Sequence, residues 1–388
     1  MGLLLHSAML VTDGRAVRGG WLRAEHGRIV ATGDGEGWRA AAQAGDVVHD
    51  LRELAGDGAL LSPGLVDLHV HGGAGAAVDD GATAIRTTRS LHRAHGTTSA
   101  VVSLVTASID ALVERVGAVA RLTREDAGVL GSHLEGPFLD PGHHGAHDPA
   151  LLVAPSEDAV ARVLDAGVVD GRQTIRQVTI APELPGAMAA IRRLTESGIV
   201  AAIGHTDADA ATTRQAVEAG ATLLTHAFNA MPGIHHRAPG PVPVAIDDDR
   251  VVLELIADGV HVADEVMRML LRSAPGRIAL VTDAMAATGM ADGDFRLGDL
   301  DVMVTDGVAR VAGTDTIAGS TLTQDAAVRR IAGLGVPIGE ALRAATSTPA
   351  GVLGMAGEIG TLRVAARADL VLWTSGLEIA HVWTAGDE

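Results

Sequence analysis

The sequence predicts an α/β fold: a TIM (β/α)8 barrel carrying a small β-sandwich built from both ends of the chain. Three observations predict it. Eight strand-like runs alternate with Ala-rich helical stretches through the middle of the chain. Metal-type side chains fall at the ends of those runs, where a barrel keeps its chemistry. Both termini read instead as short strands with turn signals, and all four tryptophans (Trp21, Trp38, Trp373 and Trp383) lie there.

The terminal part comes first. "VTDGRAV" and "AEHGRIVATGDGEG" are strand–turn–strand patterns, and the tail "GTLRVAARADLVLWTSGLEIAHVWTAG" repeats the style. Either end alone would bury too little to be stable. The expectation is therefore one small domain, residues 1–61 with 359–388, whose tryptophans share a core, around a barrel domain over residues 62–358.

Within the barrel the eight runs are "GLVDLHVH", "TTSAVVSLVT", "GVLGSHLE", "RQVTIAPE", "IVAAIGH", "ATLLTHAF", "RVVLELIADG" and "RIALVTDA". Segments such as "DGATAIRTTRSLHRAHG", "SIDALVERVGAVARLTRE", "GAMAAIRRLTESG" and "DADAATTRQAVEAG" supply helices between several of them. "RAPGPVPVAIDDD" reads as a Pro-rich loop.

Composition narrows the chemistry. The chain has 388 residues and is 47% hydrophobic, which suffices for a large core. It has no Cys, no Tyr and no Lys, so all 30 basic residues are Arg. Thiolate sites, Schiff-base chemistry, the Walker lysine and a carbamylated-lysine metal bridge are thereby excluded. A net charge of -18 argues against nucleic acid as a partner. No apolar run is long enough to span a bilayer. "MGLLLHSAML" lacks a basic leader, and His6 fails the myristoylation pattern, so the expected location is cytoplasmic with no membrane partner.

The strand ends carry the argument further. His69 and His71 are two apart on the first strand, so both face the barrel interior. Glu135 ends the third strand, Glu183 follows the fourth, His205 the fifth and His226 the sixth. Asp258 and His261 follow the seventh, and Asp283 ends the eighth. Two imidazoles on one face can grip a cation, and Glu135, His205 and His226 can complete a second site. Nitrogen and carboxylate donors without sulfur suit Zn²⁺, and also Fe²⁺, Mn²⁺ or Co²⁺. A divalent ion makes a water acidic near neutral pH. Asp283 is placed to take that proton and return it to a leaving amine, and His147 in "GHHGAHD" to donate to a carbonyl oxygen. Other histidines, His49, His92 and His95 among them, read as surface or capping residues.

The runs "PGLVDLHVHG", "HLEGPFL", "GAHD", "IGHTDA", "THAFNAM", "DGVHV", "VTDAMAATG" and "AGSTLT" resemble, in order, those of the amidohydrolase superfamily, specifically its N-acetylglucosamine-6-phosphate deacetylase family. The resemblance spans about Pro63 to Thr323. It implies Glu135, His205 and His226 as metal ligands, with His69 and His71 holding a second ion in those members that carry the pair, hence one or two ions per subunit. It implies Asp283 as catalytic acid/base and His147 as polariser of an acetyl carbonyl. Ala146, Asn229, Ala230, Arg237, His261 and the loop Ile317, Ala318 and Gly319 match positions that hold a phosphorylated amino sugar. In relatives the arginine can reach across a dimer interface, which implies a homodimer. Ala227 is smaller than the family pattern, and "VAARAD" has Ala-Arg where Gly-Lys is common. Two alternatives stay open: an amidohydrolase for another N-acyl amino sugar or a cyclic amide, and a non-catalytic barrel scaffold.

Overall fold

A computed structural model describes residues 2–385. Met1 and residues 386–388, which the expected terminal domain includes, lie outside the described residues. All eight expected barrel strands form: β1 (Leu65–Val70), β2 (Thr97–Val105), β3 (Val129–Glu135), β4 (Ile175–Ile180), β5 (Val200–Ile203), β6 (Leu223–Leu224), β7 (Val252–Ile256) and β8 (Ile278–Val281). They pair in sequence order as one sheet, and the registered pairs are parallel. The ends meet through backbone bonds from Asp283 N to His69 O and from His71 N to Ala284 O.

The helices follow from their sequences. In Ile109–Leu122 the Ser108 side chain accepts from Ala111 N, satisfying an otherwise orphaned donor, and Leu112, Val116, Val119 and Ala120 form one buried stripe. Asp209 caps Ala210–Ala219 in the same way, and Gly220, left-handed at φ 116, ends it. Inside the barrel the period of two along each strand brings polar groups inward. Asp67, His69, His133, Gln177, Thr179, Glu254 and Thr282 are all fully buried.

Both termini contribute to one seven-stranded mixed sheet, as expected. Gly2–Thr12 runs parallel to Val47–Asp50 and Leu60–Pro63 and antiparallel to Arg15–Glu25. Leu370–Trp373 lies antiparallel to Leu60–Pro63, followed by Ile379–Trp383. Leu5, Leu10, Leu22, Ile29, Leu61, Leu372 and Trp383 share a core. Trp373 is fully buried and donates from Nε1 to Ser62 Oγ at 2.9 Å. Trp21 is buried too, but Trp38 departs from the expectation: it is half-buried and stacks on His6 at 4.0 Å. His92 also departs, being buried rather than at the surface.

By compactness the described chain divides into residues 2–66, 92–98 and 324–385, and residues 67–91 and 99–323. A three-stranded meander (Gly293–Leu297, Leu300–Thr305 and Val308–Val311), not expected from the sequence reading, follows β8. Its Leu297, Val302, Val304 and Ala309 pack with Val105, Met285 and Ala318. Among the described residues no helix is long and apolar enough to cross a membrane.

Candidate active site

Glu135, the last residue of β3, stands at the centre. Its Oε1 lies 3.1 Å from His205 Nε2 and 3.0 Å from His226 Nε2. Its Oε2 lies 3.0 Å from His71 Nε2, 3.3 Å from His69 Nε2 and 3.5 Å from His147 Nε2. Asp283 Oδ1 approaches the same pair, 3.4 Å from His71 and 3.5 Å from His69. The ring nitrogens also crowd one another: His69 and His71 Nε2 are 2.9 Å apart, and His205 and His226 Nε2 3.0 Å. One carboxylate thus divides its two oxygens between two imidazole pairs.

Several of these side chains are aimed by backbone that an L residue seldom adopts. His205, His226 and Asp283 have φ of 48°, 25° and 50°. Such conformations cost about 1–3 kcal/mol each and persist where the surroundings fix them. For Asp283 those surroundings include Ser320 N, which donates to its carbonyl at 2.7 Å. Gly319, itself at φ 62, passes so close that a Cβ there would lie 2.9 Å from that same oxygen.

Outer hydrogen bonds set the ring tautomers. His205 Nδ1 donates to the His143 carbonyl at 2.9 Å, which leaves Nε2 with its lone pair facing Glu135. His69 Nδ1 faces a Glu254 oxygen at 3.3 Å and is in the same state. His147 is the reverse. Its Nδ1 accepts from Thr106 N at 3.4 Å, so Nε2 carries the proton and points inward.

The donor set fits a divalent cation on this evidence. His69 and His205 turn lone pairs, not protons, toward Glu135, and such contacts repel unless positive charge sits among them. Burial disfavours charge on His69, but the Glu135 and Asp283 carboxylates outweigh it and raise its pKa well above the usual range, a demand for positive charge that an ion at Nε2 would meet in place of a proton. Burial works against the Glu135 carboxylate too, yet His69 and the bond from His147 hold its pKa well below the usual range. Burial lowers His147 and His205 and keeps them neutral. Side-chain atoms of His69, His71, Glu135 and Asp283 lie close enough to share an ion; a second close group joins Glu135 and His205 with His147, whose inward Nε2 carries a proton.

The cluster opens on a cavity of about 410 Å³, within the ordinary range for a small-molecule site. Of the sequence-predicted residues, His71, Glu135, Ala146, His147, His205, His226, Asn229, Ala230, His261, Asp283, Ile317 and Gly319 line it. His69 lies beneath the lining and Ala318 is fully buried behind it. Arg237 is not in the lining; it is exposed, with Nη1 2.7 Å from His236 Nε2. Glu183 does not join the cluster either, because it binds Thr206 Oγ1 and Asp207 N and fixes the loop after β5. Asp258 holds His261 Nδ1 at 2.7 Å and, against burial, raises the pKa of that imidazole.

Sequence reasoning missed the support underneath. Asp67 accepts from Thr282 Oγ1 at 2.6 Å and from His69 N at 3.2 Å, and burial pushes its carboxyl up to about 6. His133, its pKa held well below the usual range by burial and by His69, links Ser103 Oγ at 2.9 Å to Thr179 Oγ1 at 2.8 Å. Glu254 and Gln177 complete the layer.

A parallel barrel with imidazoles and carboxylates gathered at the carboxyl ends of its strands is the pattern of barrel hydrolases, and this donor set is compatible with a divalent cation. The chain belongs to the amidohydrolase family, whose model matches residues 60–388. It is 41% identical over 335 residues to N-acetylgalactosamine-6-phosphate deacetylase of Escherichia coli O157:H7, covering 85% of this chain and 88% of that protein. It is 36% identical over 342 residues to N-acetylglucosamine-6-phosphate deacetylase of Bos taurus, covering 85% and 83%. Among solved structures, a mutant of N-acetyl-D-glucosamine-6-phosphate deacetylase from Mycobacterium smegmatis, in complex with N-acetyl-D-glucosamine-6-phosphate, superposes with a TM-score of 0.91. That match has 43% identity and covers 100% of this chain and 98% of the other.

Proposed function

We propose that the chain hydrolyses N-acetyl-D-glucosamine 6-phosphate to D-glucosamine 6-phosphate and acetate, in amino sugar catabolism or recycling. The observation that carries the reading is the division of Glu135 between two imidazole pairs beside Asp283, at the floor of a cavity sized for one sugar. Glu135, His205 and His226 would hold one divalent ion, and His69 and His71 with Glu135 a second, giving one or two ions per subunit. Zn²⁺ suits this nitrogen and carboxylate set, with Fe²⁺, Mn²⁺ and Co²⁺ as alternatives. When bound, such an ion supplies Lewis acidity toward a water and a carbonyl oxygen.

The rest is done by the chain's own residues. Asp283 takes a proton from the attacking water and delivers it to the amide nitrogen as the C–N bond breaks. His147 donates from Nε2 to the carbonyl oxygen as negative charge builds there, a role its neutral tautomer fits. Ala146, Asn229, Ala230, His261, Ile317, Ala318 and Gly319 shape the sugar's enclosure, so that binding energy orients the amide. Arg237 suits a phosphate because its planar fork makes paired hydrogen bonds. Its place outside the cavity lining leads us to assign it to the cavity of a second copy in a homodimer. We also keep a cytoplasmic location and the division into residues 1–61 with 359–388 and 62–358 as parts of this proposal.

Acetate release from phosphorylated and free N-acetylglucosamine, assayed on one sample of known metal content, tests the reading. Preference for the phosphorylated sugar supports it; hydrolysis indifferent to phosphate, or none under any metal supply, overturns it. The 41% identical relative named for the galactosamine epimer motivates a second reading, with that 6-phosphate as substrate. The ratio of kcat/KM for the two epimers decides between them.

A further inference from the structure

We infer that Glu254 is a positioning residue for ion binding: it holds His69 in the tautomer and orientation that present Nε2 to a divalent cation. The inference rests on the reading that His69 and His71 are ion ligands. Glu254 sits in the run "VLELI" of β7 and is fully buried. Three donors from three other parts of the barrel converge on it. Gln177 Nε2 on β4 reaches Oε1 at 2.9 Å, while His69 Nδ1 at 3.3 Å and the His226 backbone N at 3.2 Å reach Oε2. The Glu254 carbonyl also accepts from Ala227 N at 2.8 Å.

A carboxylate in this position accepts and does not donate, so the His69 nitrogen facing it carries the proton and Nε2 keeps its lone pair. That lone pair faces the space between His71, Glu135 and Asp283. His71, just past the end of that strand, offers a contrast, because its Nδ1 has no hydrogen-bond partner among the described residues. Of the pair, His69 is the one whose outer ring nitrogen is held by a side-chain acceptor, Glu254. An apolar side chain would fill this space without the cost of burying a carboxylate. The acceptor is what distinguishes Glu254 from such a filler, in the manner of partners that fix the ring of a metal-binding histidine.

The test uses the intact chain and Co²⁺ alone, with affinity read by chelator competition and coordination by the visible spectrum. A His69→Ala, His71→Ala double variant identifies the ion belonging to the pair by its loss. Glu254→Met removes the acceptor, and affinity for that ion should fall about 10–100-fold. Glu254→Gln should fall less, about 3–10-fold on the same scale. There the Gln177 amide can turn so that its Oε1, which has no partner among the described residues, receives the new NH2, leaving the new carbonyl oxygen on His69 and His226. A purely structural role would lower thermal stability in Glu254→Met and leave Co²⁺ affinity and spectrum within about threefold of wild type, a margin well below that scale; that result overturns the inference. So does Glu254→Gln binding more weakly than Glu254→Met. Should Glu254→Met fail to fold, Glu254→Gln decides: the stated weakening supports the inference, and wild-type affinity overturns it. A wild-type chain that binds no more Co²⁺ than the double variant overturns the reading of the pair as ligands, and the inference with it.

Discussion

Two buried ionic clusters in this molecule are built on opposite plans. In the terminal sheet, Asp46 meets Arg23 through two bonds, Nε at 2.8 Å and Nη2 at 3.0 Å, while Gln43 and Glu25 take the remaining guanidinium contacts. Every carboxylate charge there faces a resident cation, and Asp46 is held down at about 2 by the Arg23 bonds against burial. At the barrel mouth, among the described residues, the Glu135 and Asp283 side chains are paired with imidazoles and no arginine, and two of those imidazoles turn lone pairs inward. The first cluster is complete in itself. The second supplies ligands and no permanent cation of its own, and it opens on a cavity. Buried carboxylates alone do not mark a site; the absence of a resident partner does.

The largest expected effect that would break this contrast is at its centre. Glu135→Gln should remove bound metal, measured by elemental analysis, and abolish acetate release. Retention of both would mean that the mouth cluster is structural like the other. Asp283→Asn comes next: turnover should fall about 10²–10⁴-fold while metal content stays near wild type, separating proton transfer from ion binding. Asp46→Asn should do the converse. It should cost about 3 kcal/mol of stability at neutral pH, the scale of a broken buried pair, with kcat/KM unchanged. Because the folded pKa of Asp46 is depressed, its contribution is present above the ordinary carboxylate value near 4 and is lost as pH falls toward 2. Denaturant unfolding of wild type and variant should therefore converge across that window. The smallest effect is Ser62→Ala, which removes the acceptor of Trp373 Nε1; about 1 kcal/mol is expected from chemical denaturation, with no change in metal content.

Much of this was legible in the sequence because the rules involved are local. Alternation of strand and helix gave all eight barrel strands, and the period of two placed His69 and His71 on one face. The same rule, carried further, would have found Asp67 two residues before His69 and His133 two before Glu135. Glu254 too has a signal: a lone charge inside "VLELI". What no local rule could give is the pairing across strands, such as Glu254 with His69, separated by 185 residues. The meander after β8 was missed although "TDGV" marks it. Thr305 pairs with Val308 across Asp306 and Gly307, both at positive φ, a two-residue hairpin turn. Arg237 shows the opposite failure: a chemically apt residue that the fold of one chain leaves outside the cavity.

The strand Leu60–Pro63 has one flank on Gly2–Thr12 and the other on Leu370–Trp373. During synthesis its second neighbour emerges only some 300 residues after the strand itself, a wait of roughly 15–60 s at ordinary elongation rates. For that interval the nascent polypeptide exposes an incomplete β edge rich in leucine, while the barrel is translated and has time to form. Completion of the sheet is thus a late long-range closure, and a ribosome-stalled product ending before Leu370 should be the form most prone to sticking to its neighbours.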